Sequence, residues 1–201
     1  MPNETREGFI GLEGIVLVPL TENSATQYVA TGTPINVPWA KKLSVKKTGN
    51  EANAYADNRI YFKIKNNTGA DITINIMEAP LQLLQDLGMG LINTETGALE
   101  VKLNPPQKNY SLRFVTDTVD KNPYAHKLRV FTPTDVSWGD FQTTEEGITV
   151  NEVVITGAAS APLYSGAEWY AIFRRADGAD GQAAYDAFVS GAESIPAQAS
   201  A

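Results

Sequence analysis

Two short runs of alternating apolar and polar residues constrain the fold of this chain more than any other feature. Residues Ile60–Lys65 alternate isoleucine or phenylalanine with tyrosine or lysine, and residues Asp71–Ile76 alternate isoleucine with polar residues. A period of two in β-branched and aromatic runs is typical of strands with one apolar and one solvated face. Because Asn66–Ala70 is short, polar and contains a glycine, we predict that the two runs pair as a β-hairpin around it.

A leucine-rich segment follows the second run. Pro80 stands where a helix would begin, Leu81, Leu84 and Leu87 recur at three-residue spacing, and Gly88 ends the run. Proline in the first turn and glycine just past the last residue are typical of helix boundaries. We therefore predict a short α-helix near residues 80–88 whose leucines pack on the isoleucine face of the hairpin.

The remaining apolar residues also fall into short strand-like segments separated by turn residues, about ten strands in all by this criterion. They are residues 15–18, 27–31, 40–47, 99–103, 110–114, 127–130, 148–155 and 169–173. Trp169–Phe173 is apolar at every position, so we expect it in the middle of a sheet. The predicted fold class is all-β with a flanking helix: two packed antiparallel β-sheets, sandwich-like or barrel-like. A second helix is expected from Asp180 to Gly191, with Ala184, Tyr185, Phe188 and Val189 on one face.

No repeat or linker divides the chain, so residues 1–201 are expected to form one domain. Three segments lack a core pattern: an N-terminal arm (1–13), a long polar loop (48–58) and a C-terminal tail (192–201). Long ordered loops are often functional, which makes residues 48–58 a candidate contact region.

Composition disfavours several classes of protein. The net charge is −7 and the sequence pI is about 4.8, so gripping nucleic acid through its phosphates is disfavoured. The chain contains no cysteine, which rules out disulfides and thiolate metal sites. Its apolar runs are shorter than a membrane span, and its first residues lack the basic region of a signal peptide, so we expect synthesis in the cytoplasm and no membrane partner.

Residues that carry catalytic chemistry are sparse. His126, the single histidine, is in phase with Leu128 and Val130, and a structural role is expected for it. Asp177–Gly181 is interpreted as a turn with a helix cap rather than a calcium loop, and Glu145–Gly147 as a hairpin turn. The sequence contains no nucleophile elbow, phosphate loop or zinc-ligand spacing, so we expect no enzyme, no metal site and no cofactor.

One basic cluster is present, formed by Lys41, Lys42, Lys46 and Lys47. These lysines either protect an exposed strand edge from promiscuous pairing or form salt bridges with an acidic patch on another copy of the chain. Trp39 and Trp138 follow turn-like sequence and are candidates for either rim packing or an intersubunit contact.

Seven short elements occur in an order that suggests a family. They are Ile15–Val18, Leu43–Val45, the Tyr-Ala-Asp element in Ala54–Asn58, Ile72–Ile76, Glu78–Gly88, Phe141–Ile148 and Ile155–Gly157. In order and spacing, over residues 14–175, they resemble the major tail proteins (tail tube proteins) of long-tailed, non-contractile bacteriophages.

This resemblance implies two packed β-sheets with a flanking helix, in a structural virion protein. Copies of such a protein form stacked, hexameric rings that make the tail tube, the conduit through which phage DNA leaves the capsid. The expected partners are other copies of the chain, the tape measure, tail-tip or terminator proteins, and DNA that passes through the lumen without specific binding. Edge strands would pair between neighbours, and an acidic lumen would repel phosphate.

Ring-to-ring contact is assigned to the polar stretch, with Tyr55 as a candidate aromatic anchor. The candidate contact residues are Thr48, Gly49, Asn50, Glu51, Asn53, Tyr55, Asp57 and Asn58. The N-terminal arm and C-terminal tail are further candidates for ordering on assembly. The alternative function is a monomeric β-sandwich recognition module, such as an adhesin or a carbohydrate-binding domain.

Overall fold

The computed structural model describes residues 9–56, 59–102, 106–118, 123–138, 152–175 and 179–196. Over these ranges the chain forms twelve strands and two helices. The strands are β1 (Phe9–Asn23), β2 (Tyr28–Ala30), β3 (Ile35–Val37), β4 (Ala40–Ala56), β5 (Arg59–Ile76), β6 (Gly90–Ile92), β7 (Leu99–Val101), β8 (Tyr110–Thr118), β9 (Tyr124–Trp138), β10 (Val153–Ser160), β11 (Tyr170–Arg174) and β12 (Glu193–Ile195). The helices are α1 (Leu81–Asp86) and α2 (Ala179–Ser190). None of the helices in the described ranges has the length and apolar composition needed to cross a bilayer.

The strands form a ten-stranded sheet and a separate two-stranded sheet of β6 and β7, and every ladder is antiparallel. The main path of the large sheet is β12-β2-β1-β8-β9-β10-β5-β4, with β3 paired to β1 and β11 paired to β9. The predicted all-β class with a flanking helix is therefore confirmed. The sheets are open and do not close into a barrel. Strands β3 and β4 are consecutive in the chain, but they pair near opposite ends of the path.

One hydrophobic core joins strands that are far apart in the large sheet. Ile15 and Leu17 of β1 belong to the same buried cluster as Ile72, Ile74 and Ile76 of β5. The sheet must therefore bend around this cluster, since β8, β9 and β10 lie between β1 and β5 in the path. The alternation seen in the second run is confirmed, because its three isoleucines are at most 1% exposed.

Helix α1 closes the core near the predicted position, with one difference in its leucines. Pro80 is its N-cap, Leu84 and Leu87 are buried with the β5 isoleucines as predicted, and Gly88 follows at φ +82°. Leu81 does not pack on the core, since it is 46% exposed, and Leu83 is buried in its place. A φ in the left-handed region is sterically costly for residues with a Cβ, which explains glycine at this position.

The predicted hairpin around Asn66–Ala70 is wrong. Both alternating runs lie on the single strand β5, and its hairpin partner is β4, from Ala40 paired with Ile76 to Ala56 paired with Arg59. Gly69 is not a turn residue; a Cβ there would lie 2.4 Å from the carbonyl oxygen of Ala159 on β10. Glycine is present because two strands approach closely, and in sequence this cannot be distinguished from a turn glycine.

Three segments expected to be irregular contain strands. Residues 48–56 of the expected loop lie on β4, residues 9–13 of the N-terminal arm lie on β1, and residues 193–195 of the tail form β12. In each case the backbone groups are taken up by a neighbouring strand, so a polar sequence does not prevent pairing. Residues 57–58, 1–8 and 197–201 lie outside the described residues.

The predicted central position of Trp169–Phe173 is also wrong. Strand β11 pairs with β9 alone among the described strands, and its residues Tyr170 and Ile172 are 36% and 49% exposed. The predicted second helix is confirmed as α2, with Tyr185 buried but Ala184 exposed. The turn expected at Glu145–Gly147 and the strand residues Ile148 and Val150 fall outside the described ranges.

Candidate assembly surfaces

The outer half of the β4–β5 hairpin pairs only with itself. On its inner half, β5 pairs with β10 through residues 70–76, but residues 59–69 have no ladder to any described strand other than β4. Residues 49–67, here called the hairpin arm, therefore extend beyond the sheet as a two-stranded ribbon. At about 3.3 Å per residue, eight strand residues give the arm a length of about 25 Å.

An irregularity in the ladder marks the base of the hairpin arm. Thr48 pairs with Gly69, and the next pair is Gly49 with Asn67, so Thr68 is an extra residue on β5. A second shift lies between Ala54, paired with Phe62, and Tyr55, paired with Ile60, so Tyr61 is also an extra residue on β5.

These irregularities interrupt the alternation between the two apolar runs. Phe62 and Ile64 are in phase with Ile72 and Ile74 when residues are counted along the sequence, but the extra residue Thr68 lies between the two runs in the ladder. Counting along the sequence therefore does not place the first run on the core face of the second.

The predicted inter-ring contact residues map onto this arm. Thr48 is the last pair before the irregularity, and Gly49, Asn50, Glu51, Asn53 and Tyr55 lie on the β4 side of the arm. Tyr55 pairs with Ile60, one pair before the end of the ladder. Asp57 and Asn58 fall outside the described residues.

The predicted basic cluster lies on β4, whose partner among the described strands is β5 alone. Lys41, Lys42, Lys46 and Lys47 are all exposed. Lys41 forms an ion pair with Glu152, whose pKa is lowered by hydrogen bonds from Lys41 and from Asn75. The Nζ atom of Lys47 lies 5.8 Å from the ring centroid of Trp169. These positions fit the protection of an unpaired strand edge, because lysine there opposes unspecific β-pairing.

The end of the hairpin opposite the arm is apolar and exposed. Trp39 precedes β4 and Met77 follows β5, and the Met77 amide donates a hydrogen bond to the Trp39 carbonyl oxygen over 3.1 Å. Trp39, Met77, Leu81 and Leu91 are 57%, 48%, 46% and 55% exposed; together they are called the base patch. A surface groove of about 730 Å³ lies beside this patch, lined by Pro38, Pro80, Leu83 and Leu91 among others. Trp138, the other tryptophan singled out in the sequence, is exposed at the end of β9.

His126 occupies a structural position. Its ring stacks on Phe114 with centroids 4.6 Å apart, Nε2 lies 2.8 Å from the Thr116 hydroxyl, and Nδ1 lies 2.6 Å from the Tyr170 hydroxyl. Burial lowers its pKa to about 4, so the imidazole is neutral near pH 7. A neutral ring can donate from one nitrogen and accept at the other, which satisfies both neighbours.

A buried cluster of charges that is not predicted from the sequence attaches the C-terminal segment to the sheet. Arg113 on β8 is fully buried, and its Nη1 atom donates to the carbonyl oxygens of Phe188, Val189 and Gly191 at 3.3, 3.3 and 2.6 Å. A guanidinium there satisfies carbonyls left open at the end of α2 and complements the negative end of the helix dipole.

Glu193 on β12 completes this cluster. Its carboxylate lies 3.2 Å from Lys127 Nζ and 3.2 Å from Arg129 Nη2, two cations on β9. Burial is the main cause that lowers the pKa of Lys127 to about 8, and Glu193 opposes that shift. Arg113 alternates with Leu112 and Phe114, which in sequence indicates a solvated face; α2 and β12 cover that face instead.

Within the described part of the chain, no three metal-ligating side chains come together in a group that could hold a metal ion.

No family model and no curated protein sequence matches this chain. Among solved structures, a chain of the anti-feeding prophage baseplate, determined by cryo-electron microscopy with six-fold symmetrisation, aligns with 82% of this chain and 95% of its own at 11% identity and a TM-score of 0.43. A chain of the tube-terminating cap of the same prophage aligns with 86% of this chain and 98% of its own at 10% identity and a TM-score of 0.41.

Proposed function

We propose that this chain is a structural protein of a phage tail that polymerises with copies of itself into stacked, hexameric rings forming the tail tube. The observation that carries the proposal is the hairpin arm: half of the longest hairpin lies outside the sheet and pairs only with itself. An isolated two-stranded ribbon is marginally stable in water, so an arm of this length requires a surface to rest on. Similarity at TM-scores near 0.4 is too low to bear on function, so the proposal rests on the geometry of this chain.

Unpaired strand edges are a second feature that supports assembly. Among the described strands, β4 at one end of the path and β11 beside β9 each have one edge without a ladder. Pairing of such edges with neighbouring copies would remove them, and a heterologous contact that closes on itself gives a ring. Contacts that repeat along the strand direction stack the rings into a tube.

The same proposal accounts for the charge of the chain. A lumen formed by a protein of net charge −7 repels phosphate, so DNA can pass through without being held. The lysines of β4 are placed on a strand edge, which in a ring lies between subunits. In this proposal the protein resides in the virion tail and contacts other tail proteins at the ends of the tube.

The experiment compares the purified wild-type chain with an arm truncation. Replacing residues 50–66 with Asn-Gly leaves Gly49 and Asn67 joined by a two-residue turn of the type that suits hairpins. We expect wild-type protein to form rings and tubes in negative-stain electron microscopy, and the truncated protein to melt cooperatively without forming tubes. Circular dichroism of both proteins checks that the sheet is retained.

Two outcomes contradict the proposal. Tubes formed by the folded truncated protein would remove the arm from assembly. A wild-type chain that stays monomeric at high concentration in sedimentation would favour the recognition module instead, and binding to a glycan array would then identify it.

A further inference from the structure

Three cations lie together on one face of the β8–β9 ladder. Arg113 pairs directly with Lys127, and Arg129 follows two residues later on the same face of β9. Like charges directly opposite each other in an antiparallel pair destabilise a sheet. Arg113 is 0% exposed, and the side chains of Lys127 and Arg129 are 4% and 12% exposed. Shielding three cations from water in this way is costly unless negative charge lies close to them.

The described residues supply less negative charge than this cluster requires. Glu193 forms ion pairs with Lys127 and Arg129, and its charge also acts on Arg113. Among the described residues, no other carboxylate forms an ion pair with any of the three cations. Three cations therefore face one carboxylate, which leaves an excess of two positive charges inside a chain that is acidic overall.

Two N–H groups of the cluster have no hydrogen-bond acceptor within the described part of the chain. They are Nη2 of Arg113 and Nε of Arg129, and both atoms are buried. The other nitrogens of the two guanidiniums are used; for example, Nε of Arg113 donates to the Ser111 hydroxyl at 3.2 Å. A buried donor without an acceptor loses its hydration and gains nothing in return. Such donors beside excess positive charge indicate an acceptor that is itself negative.

We infer that the cluster of Arg113, Lys127 and Arg129 binds one inorganic oxyanion of the phosphate class, which enters at the edge where Arg129 and Glu193 are partly exposed. A guanidinium presents its N–H donors in a planar fork that matches the oxygens of a phosphate group. The bound anion accepts from the two guanidiniums and compensates the excess charge. This site is separate from tube assembly and does not rest on the proposed function.

The anion also has a structural consequence. The ends of α2 and strand β12 are attached to the sheet through the same three cations, so binding strengthens the attachment of the C-terminal segment. The pKa of Lys127 is lowered to about 8, mainly by burial and also by Arg113 and Arg129, whereas Glu193 opposes the shift. An added anion acts in the same direction as Glu193 and favours the charged form of Lys127.

The test is the urea unfolding of the full chain at pH 7, with sodium phosphate replacing sodium chloride at constant ionic strength. A ligand that binds the folded chain alone raises the folding equilibrium constant by a factor of 1 + [L]/Kd, about 11-fold at a phosphate concentration of about ten times Kd. We expect this rise to saturate with phosphate and to be absent with chloride. The stabilisation by salts that are excluded from the protein surface grows steadily with concentration instead.

Matched variants locate the site. Arg129→Gln removes a guanidinium, and Lys127→Met removes the ammonium but keeps an apolar stem beside the Phe188 ring, whose centroid lies 4.1 Å from Nζ. Both should lose the phosphate-dependent rise, a readout that a purely structural role does not change. If these variants do not fold, Arg129→Lys keeps the charge but not the fork and should raise Kd. Lys46→Gln, at an exposed position on β4, should respond as wild type does.

Three outcomes would overturn the inference. The first is a wild-type chain whose stability shows no saturating rise with phosphate. The second is an equal rise with chloride, which would mean general screening of charge. The third is a full wild-type response in the Lys127 and Arg129 variants, which would place the anion elsewhere. A failure to form rings or tubes contradicts only the proposed function, since the phosphate response is measured on the folded subunit.

Discussion

The two halves of the β4–β5 hairpin have similar alternating sequences and different surroundings. In the inner half, residues 40–48 and 69–76, β5 has β4 on one edge and β10 on the other, and its isoleucines are buried. In the outer half, β5 has β4 alone among the described strands, and the ladder shifts register at Thr68. The difference teaches that alternation specifies a strand, whereas the neighbouring strands decide whether it lies inside the sheet or in a ribbon outside it.

The strongest way to break this distinction is to disrupt each half separately. Ile74→Asp should unfold the subunit, because burying an isoleucine contributes about 1.5–3 kcal/mol and an unpaired buried carboxylate costs more. Replacing residues 50–66 with Asn-Gly removes the outer half, so it should leave a subunit that unfolds cooperatively and should prevent tube formation. Urea unfolding measures the stability of both variants.

Either variant can contradict this distinction. A soluble Ile74→Asp protein that melts cooperatively would show that the inner face is not the core. A truncated protein that fails to fold would show that the subunit needs the hairpin arm for its own stability.

Lowering the pH should destabilise the large sheet, because the sheet contains the buried His126, and should not affect the hairpin arm. Its pKa falls from 6.5 to about 4 on folding, so between these pH values the unfolded chain binds more protons than the folded chain. The contribution of the neutral imidazole to the free energy of unfolding is therefore fully present above pH 6.5 and is lost as the pH falls towards 4. At 1.36 kcal/mol per pKa unit, the total loss is roughly 3 kcal/mol.

The measurement is the free energy of unfolding between pH 7 and pH 4. His126→Gln should lose less free energy of unfolding than wild type over this window, since the Asp and Glu carboxylates titrate equally in both proteins. The arm truncation should retain the wild-type pH dependence. Equal slopes in wild type and His126→Gln would mean that the histidine is not buried as described.

The smallest change in the free energy of unfolding is expected for a substitution at Gly69, which lies at the boundary between the two halves. Gly69→Ala would bring a Cβ within 2.4 Å of the Ala159 carbonyl oxygen, so β5 and β10 must separate locally, at a cost of about 1–3 kcal/mol. Gly14→Ala on β1 is the matched control, because a Cβ there meets nothing within 4 Å. A Gly69→Ala protein as stable as Gly14→Ala in urea would show that β10 does not approach β5 at this point.

Much of the fold follows from local sequence. The isoleucines at 72, 74 and 76, the leucines of α1 and the glycine at 88 give the correct element types and the correct contact between them. The candidate contact segment was also found from sequence, as a long polar stretch without a core pattern. Its conformation was not, because polar residues such as Asn50 and Glu51 pair in a ribbon as readily as they form a loop.

The sequence by itself determined that this chain is β-rich, which face of residues 72–76 is apolar, and where its leucine helix begins and ends. These properties depend on residues a few positions apart, so they are visible in the order of residues. Only the tertiary structure decided that both alternating runs lie on one strand paired with β4, that the inner half of this strand also pairs with β10, and that Arg113 is buried against the end of α2. Each of these depends on pairing or packing partners outside the segment itself, which the order of residues within the segment does not identify.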